Sequence, residues 1–303
     1  MLSKFRGCFL GLALGDALGA PFEGSGCLGN DVSDRILNRN YLEYTDDTIM
    51  ALCIARSIIS VRNIDPSDIA ENYAKWFLSE DLRGIGITVF NALSNYVRSR
   101  DWKSCGVIDF WAAGNGVAMR VAPIALFDLN SSEETLYEHI RLDGWITHKN
   151  ELAISGAFAV ALAIRQAIKS SSKREVADYV KAKLEEFGIL NRVYDAVLNA
   201  IKLSSENIDD LKAFVVLGTS GYVVHTVASA IYAFLTKDSY IETILSLIRA
   251  GGDTDTNAAV AGAIAGAFYG CEKIPSELIE KLEDKDEILK IADELYALVM
   301  NSH

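Results

Sequence analysis

Residues 250–270 read Ala250-Gly-Gly-Asp-Thr-Asp-Thr-Asn-Ala-Ala-Val-Ala-Gly-Ala-Ile-Ala-Gly-Ala-Phe-Tyr-Gly270, and they join two kinds of physics. The first seven positions after Ala250 form a polar turn crowded with oxygen atoms. From Ala258 the sequence is almost wholly alanine, glycine and other apolar residues, with Gly262, Gly266 and Gly270 spaced by four. On a helix that spacing puts the glycines on one face, where a second backbone can come close. The stretch predicts an acidic turn feeding a buried, tightly packed helix.

A matching stripe lies at the other end of the chain. Gly7, Gly11, Gly15 and Gly19 also repeat every four residues. Each glycine inside a helix costs about 1 kcal/mol relative to alanine, so four on one stripe imply a compensating close contact. The expected partner is the helix that starts near Asn257. The run around Gly7–Leu14 is too short for a membrane span, and Asp16 interrupts it.

The turn at Asp253-Thr254-Asp255-Thr256 is where chemistry is expected. Two carboxylates about 4 Å apart repel by roughly 4 kcal/mol at an effective dielectric near 20. A divalent cation removes that repulsion, and carboxylate and hydroxyl oxygens suit a hard ion such as Mg²⁺. The alternative is helix capping, for which Asp and Thr serve equally well. Thr45-Asp46-Asp47-Thr48 is a second acidic turn, again before an apolar helix. Two such clusters favour a two-metal site, with ions roughly 3.5–4 Å apart bridged by carboxylates.

Composition narrows the function classes. The chain has 303 residues, 50% of them hydrophobic, and a net charge of -12. No basic patch with interleaved aromatics occurs, so neither nucleic acid nor a membrane is an expected partner. Five scattered cysteines without a C-x-x-C fit reduced, mostly buried thiols and a cytoplasmic protein. The four histidines, His139, His148, His225 and His303, form no H-E-x-x-H pattern.

The rest of the chain reads as helices joined by small-residue turns. Pro21-Phe22-Glu23-Gly24 ends the first helix and leaves the Glu23 carboxylate on a turn, and residues 24–43 read as a long loop. Asp65-Pro66 is a helix start. Gly84 and Gly86 sit in a loop entering another helix. The Gly114-Asn115-Gly116 turn exposes backbone N–H groups of the kind that hold phosphate. His148 precedes a long apolar helix, where it is expected to cap, to pair with Glu151 or to contact a ligand. Residues 173–186, 189–203, 239–249 and 284–299 are amphipathic. Gly218, Ser220, Gly221 and Tyr222 form another small-residue loop, with Tyr222 either stacking on a base or buried. Helical spacing dominates and few segments alternate, so the fold class is all-α, a single compact domain over residues 1–303 with about a dozen helices.

Taken together, GCFLGLALGDALGAPFEG, YTDDTIMAL, GNGVAMRVAPIAL, ITHKNELAISGAFAVALAI, GTSGYVVHTVASAIYAF and IRAGGDTDTNAAVAGAIAGAFYG resemble the ADP-ribosylglycohydrolases, in family order from residue 7 to residue 270. The resemblance implies two Mg²⁺ ions; the same oxygen ligands accept Mn²⁺ as well. It implies Thr45, Asp46, Asp47 and Asp255 on one ion, and Asp253, Asp255 and Thr256 on the other. Glu23 is implied as general acid/base or water-positioning group, with Asp46 and Asp255 as the other catalytic residues. Gly114, Asn115, Gly116, Gly218, Ser220, Gly221 and Tyr222 are implied along the diphosphate and adenosine path, and His148 as a substrate contact. The implied reaction is hydrolysis at the anomeric carbon of an ADP-ribosyl group on a protein or small molecule. A site of this kind, with Glu23 buried near cations, is expected to keep Glu23 ionised. A non-catalytic ADP-ribose binder and a hydrolase of another ribosyl substrate are the alternatives. Gly84 and Gly86, implied as substrate-binding, stand in RGIGITVF; at the position of Gly84 the arginine-specific bacterial branch commonly carries an acidic residue, and the pattern resembles the serine, O-linked branch instead, which has a longer loop between RG-x-G and TVF.

Overall fold

The computed structural model describes residues 1–29, 32–79 and 81–301. Among the described residues, seventeen α-helices and two short 3-10 turns make one all-helical domain, and backbone pairing outside helices is confined to isolated bridges. In chain order the helices are α1 (Leu2–Gly19), α2 (Val32–Leu37), α3 (Asp46–Val61), α4 (Pro66–Phe77), α5 (Ile87–Ser99) and α6 (Trp102–Cys105). Then follow α7 (Ala122–Phe127), α8 (Glu133–Thr147), α9 (Glu151–Lys169), α10 (Lys173–Glu186), α11 (Arg192–Ser204) and α12 (Asp210–Leu217). The last five are α13 (Val223–Thr236), α14 (Tyr240–Ala250), α15 (Thr254–Tyr269), α16 (Ser276–Ile279) and α17 (Lys285–Asn301).

Two glycine-bearing helices set the centre. α1 and α15 pack against each other more extensively than any other pair of elements. A Cβ built on Gly7 would lie 2.3 Å from the Gly266 carbonyl oxygen, one on Gly11 2.2 Å from that of Gly262, and one on Gly15 2.2 Å from that of Ala258. The reverse holds for Gly262 and Gly266, which face the carbonyls of Gly11 and Gly7. The stripes therefore interlock antiparallel, with carbonyl oxygens lodged where side chains would be. Gly270 departs from the expected row: it is the cap beyond α15, with φ +82°.

Antiparallel packing has a consequence for the site. It brings the C-terminal end of α1 beside the N-terminal end of α15, where a Cβ on Gly19 would meet the Thr254 carbonyl at 2.4 Å. The Thr254 hydroxyl donates to the Gly19 carbonyl at 2.8 Å. Glu23 and the GGDTDT turn are thus brought to one end of the same helix pair.

Other elements follow their local signals. Asp65 caps α4 through Ser67 and Asp68, with Pro66 at its first position. Asn150 caps α9, so capping there does not fall to His148. α9 is long and apolar enough to cross a membrane by length and composition, yet nearly all of it is buried among other helices of the protein.

Three expectations change. Residues 24–43 are not one loop: Val32 and Ile36 are buried and give α2 an apolar anchor; residues 30 and 31 of that span, and His303, lie outside the described residues. The helix expected from 189 begins at Arg192, capped by Asn191. The count of about a dozen is low because the short elements, such as α6 and α16 at four residues each, carry too few apolar positions to show a period.

Candidate active site

Three helix N-termini converge on one pocket. The carboxylates of Asp46 and Asp47 come from the first turn of α3, and Asp255 and Thr256 from the first turn of α15. The third is α5, which enters through Gly86, Ile87 and Thr88. Each N-terminus carries partial positive charge that favours nearby anions. The pocket holds about 230 Å³ and is lined by Glu23, Asp46, Asp47, Asp253 and Asp255, with Gly84, Gly86, Gly114, Asn115, Gly116, His148, Gly221 and Thr256 among its walls. No lysine or arginine lines it among the described residues.

Loops are laced together to hold these groups. Gly24 N–H donates to the Gly252 carbonyl and Gly252 N–H to the Ser25 carbonyl, both at 2.8 Å. That pairing sets Glu23 beside the acidic turn, where oxygens of Glu23, Asp253 and Asp255 lie within 4.8 Å of one another. Asp253 stands at the cap position of α15 but makes no capping bond. Its Oδ2 accepts from Asn115 Nδ2 at 2.7 Å, and the second hydrogen of that amide serves Thr226 Oγ1 at 2.9 Å. Asn115 N–H in turn donates to the Gly221 carbonyl at 3.0 Å. A side chain at Gly221 would sit 3.1 Å from Asp253 Oδ2, so the small residue there leaves that carboxylate room.

Asp16 was passed over by motif reading, which treated it only as a break in an apolar run. It is fully buried on α1 and accepts from Thr45 N–H and Oγ1 and from Thr48 N–H and Oγ1, at 2.6–3.1 Å. It thereby caps α3 from another helix, and the side chains of Asp46 and Asp47 stay free to face the pocket. The signal was available: a lone carboxylate inside an apolar glycine helix needs donors when buried.

The carboxyls are held in mutual conflict. The pKa values of Asp46, Asp47 and Asp255 are all raised, first by burial and then by neighbouring carboxylates, with a side-chain hydrogen bond from Asp253 also contributing at Asp255. Asp47 Oδ1 is buried without a partner, while its Oδ2 accepts from Thr256 Oγ1 at 3.3 Å. Orphaned, oxygen-only, acidic ligands are the donor set a hard divalent cation satisfies. These residues fit Mg²⁺ or Mn²⁺.

Several predicted residues sit differently from expectation. Glu23 is exposed at the pocket rim rather than buried, and its pKa is raised by partial desolvation, then by Asp253 and Asp16. In the protein alone nothing favours its ionised form. Thr45 does not line the pocket, and its hydroxyl hydrogen goes to Asp16 at 2.7 Å, which leaves only the oxygen's lone pairs for a cation. Gly218 and Ser220 do not line the pocket: Gly218 caps α12 with its carbonyl bonded by Ser229, and Ser220 Oγ meets His225 Nδ1 at 2.8 Å. Their loop acts instead through Thr219, whose carbonyl accepts from Asp253 N–H. Gly84, at φ +79°, packs over the acidic turn, where a Cβ would lie 2.5 Å from Asp46 Oδ1.

A second, apolar pocket of about 410 Å³ adjoins the first, sharing Gly114 and Gly221. Its walls are Phe110, Trp111, Ala113, Leu152, Arg192 and Tyr222. Tyr222 is half-buried and aligned by an antiparallel bridge to Gly114. Sequence reading finds Tyr222 and misses Phe110 and Trp111, an exposed aromatic pair two residues before the Gly-Asn-Gly turn.

The geometry now has a context among known proteins. The ADP-ribosylglycohydrolase family model matches residues 1–303. This chain belongs to that family. It is 34% identical to an uncharacterized protein of Archaeoglobus fulgidus over 99% of this chain and 98% of the relative. It is 30% identical to ADP-ribosylhydrolase ARH3 of Homo sapiens, covering 99% and 95% of the two chains. ADP-ribosylarginine hydrolase Tri1 of Pseudomonas putida is 29% identical over 97% of this chain and 78% of its own. Among solved structures, an ADP-ribosylglycohydrolase-related protein complex superposes with a TM-score of 0.74 at 28% identity, covering 99% of both chains.

Proposed function

We propose that this ADP-ribosylglycohydrolase family member hydrolyses the glycosidic bond of ADP-ribosyl groups on proteins or small conjugates, releasing ADP-ribose. The observation that carries this reading is the junction of two unlike pockets. One end is a set of converging carboxylates suited to ions and a ribose. The other is a ring-lined apolar slot, suited to a purine, that shares Gly114 and Gly221 with it. A diphosphate would lie between them, against the Gly114-Asn115-Gly116 turn.

Two Mg²⁺ ions would be held by Asp46, Asp47, Asp253, Asp255 and Thr256, with Glu23 and the Thr45 hydroxyl at hand. When bound, they would coordinate and orient the ribose hydroxyls beside the carbon that becomes oxocarbenium-like in the transition state. Glu23 stands at the rim, next to Asp253 and Asp255. Its carboxylate takes a proton from the attacking water as the water oxygen bonds to the anomeric carbon. The bond from that carbon to the leaving oxygen breaks, and Glu23 returns the proton to that oxygen. Bound cations would lower the raised Glu23 pKa and favour the base form.

The linkage we assign is O-linked, to serine. Gly84 presses on Asp46 with no room for a side chain and with a left-handed backbone, so no carboxylate stands there to pair a guanidinium. The five free cysteines suit a reducing compartment, and we place the protein in the cytoplasm. The test is ADP-ribose release from matched serine- and arginine-ADP-ribosylated peptides, with Mg²⁺ and with chelator, beside Asp255→Ala. Chelator-sensitive release from the serine peptide alone is expected. Release from arginine alone would overturn the linkage, and binding of ADP-ribose without release from either would overturn the enzyme reading.

A further inference from the structure

We propose that Arg120 and Thr147 act as positioning residues that hold His148 with its proton on Nε2, so that it presents an N–H donor to an oxygen of the bound ligand. This rests on the pocket assignment above only for the ligand, since the proton's placement follows from the unliganded network.

The argument starts from a buried cation. Arg120 is fully buried and its guanidinium can only donate. Nε donates to Asp143 Oδ2 at 2.9 Å and Nη1 to the Gly116 carbonyl at 3.1 Å. Nη2 donates to the Asp143 carbonyl at 3.2 Å and to Thr147 Oγ1 at 2.8 Å. Tyr73 closes the set by donating to Asp143 Oδ1 at 2.7 Å, with its ring under the guanidinium. With these bonds the Arg120 head has one orientation, and the Thr147 oxygen must accept from it.

Thr147 Oγ1 also lies 2.8 Å from His148 Nδ1. One proton occupies that contact. If it belonged to His148, Thr147 would accept twice, and its own hydroxyl hydrogen would be stranded, with no other acceptor among the described residues. A stranded donor at a fully buried position costs about 1–3 kcal/mol. If Thr147 donates, its own hydrogen and the Arg120 Nη2–H that it accepts are both paired, Nδ1 is the acceptor and the proton of the neutral ring sits on Nε2, the edge left for a ligand. The ring is neutral because burial and the charge of Arg120 hold its pKa down to about 3.

The Nε2 edge faces the pocket. His148 lines it between Gly114 and Gly116, where Cβ atoms would lie 3.5 Å and 3.2 Å from Nε2. Nε2 has no partner among the described residues and is not sealed from the cavity. In a pocket walled by carboxylates, an oxygen-rich ligand needs donors. Both hydrogens of the Asn115 amide are already taken, by Asp253 and Thr226. His148 Nε2–H is an uncommitted side-chain donor on this wall, across from the backbone N–H groups and Thr88 at the start of α5.

Nitrogen-15 NMR of the imidazole rings, on unliganded protein near neutral pH, reads the proton directly. The expected wild-type signature is a neutral ring protonated at Nε2, with Nδ1 in the range of a hydrogen-bonded acceptor. Thr147→Val moves Nδ1 toward a free acceptor nitrogen and weakens ADP-ribose binding about 3- to 10-fold. Thr147→Ser, which keeps the hydroxyl, returns both. A wild-type ring protonated at Nδ1, or ring resonances unmoved by Thr147→Val, overturns the relay, and the first reading needs no variant to fold. A moved Nδ1 with unchanged ADP-ribose affinity overturns the ligand contact. Wild-type protein that binds no ADP-ribose at all fails the functional reading, while the NMR result still decides the relay.

Discussion

Gly15→Ala tests whether close helix contact is what organises the molecule. The added Cβ would stand 2.2 Å from the Ala258 carbonyl oxygen, 2.5 Å from its carbon and 2.8 Å from Ala259 N. All three are backbone atoms, so no flexible side chain can swing away. Since Cβ contacts below 3.0 Å are essentially never seen, α1 and α15 must part locally by about 0.8 Å, in an interior that tolerates little misfit. Overpacking of this kind costs about 1–3 kcal/mol. Alanine returns about 1 kcal/mol of helix propensity. With the misfit against backbone on three atoms, we expect the upper end to prevail, for a net loss of about 2 kcal/mol. For a chain of this length that lowers Tm by about 3 °C. The site should feel it as well, because Asp16 follows Gly15 and caps α3, while Ala258 stands one turn from Asp255. Differential scanning calorimetry and Mg²⁺ titration are the assays. Gly26→Ala, where a Cβ meets nothing within 4 Å, is the control and should stay within about 0.5 kcal/mol of wild type. A Tm for Gly15→Ala equal to or above that of wild type would refute the packing argument.

Three further outcomes follow from the site. Glu23→Gln should keep Mg²⁺ and ADP-ribose affinity within about threefold and lose about 10²–10⁴ in turnover; turnover near wild type removes Glu23 from the reaction. In chelator, stability should fall as pH rises. Folded Asp46, Asp47 and Asp255 have pKa values above the ordinary carboxylate range, so their contribution is complete below about pH 4 and is lost as pH climbs through the folded values. Thermal melts from pH 5 to 8 read this, Mg²⁺ should reverse the loss at pH 8, and a Tm that rises with pH in chelator would contradict the assignment. Asp47→Asn should stabilise the chelated protein by about 1–2 kcal/mol at pH 8, because it removes a buried charge set among the carboxylates of Asp16, Asp255 and Asp46. The same change should abolish stabilisation by Mg²⁺; a variant that still responds to the ion would show that the carboxylate is not held for a cation, and one less stable in chelator would contradict the buried-charge argument.

Much of this was legible in the chain itself. Glycines at four-residue spacing near both termini imply two helices in backbone contact, because no other arrangement repays glycine inside a helix. Two Asp/Thr turns before apolar helices give the carboxylates, and a short list of residues types suffices to suggest a hard cation. Such signals are local: they depend on period and composition within one segment.

Tertiary structure decided which local signals meet. The antiparallel sense of α1 and α15 brings Glu23 to Asp253 and Asp255, and this is a property of the pair rather than of either helix. Asp16 became a cap for α3 only once the two helices were side by side. Gly218 and Ser220 share a loop with Gly221 and Tyr222, yet the turn directs them away from the pocket. The proton of His148 depends on Arg120, 28 residues earlier, through a threonine that no motif singles out. Sequence lists donors and acceptors, but burial decides which of them must find each other, because only out of water does an unpaired group carry its full cost.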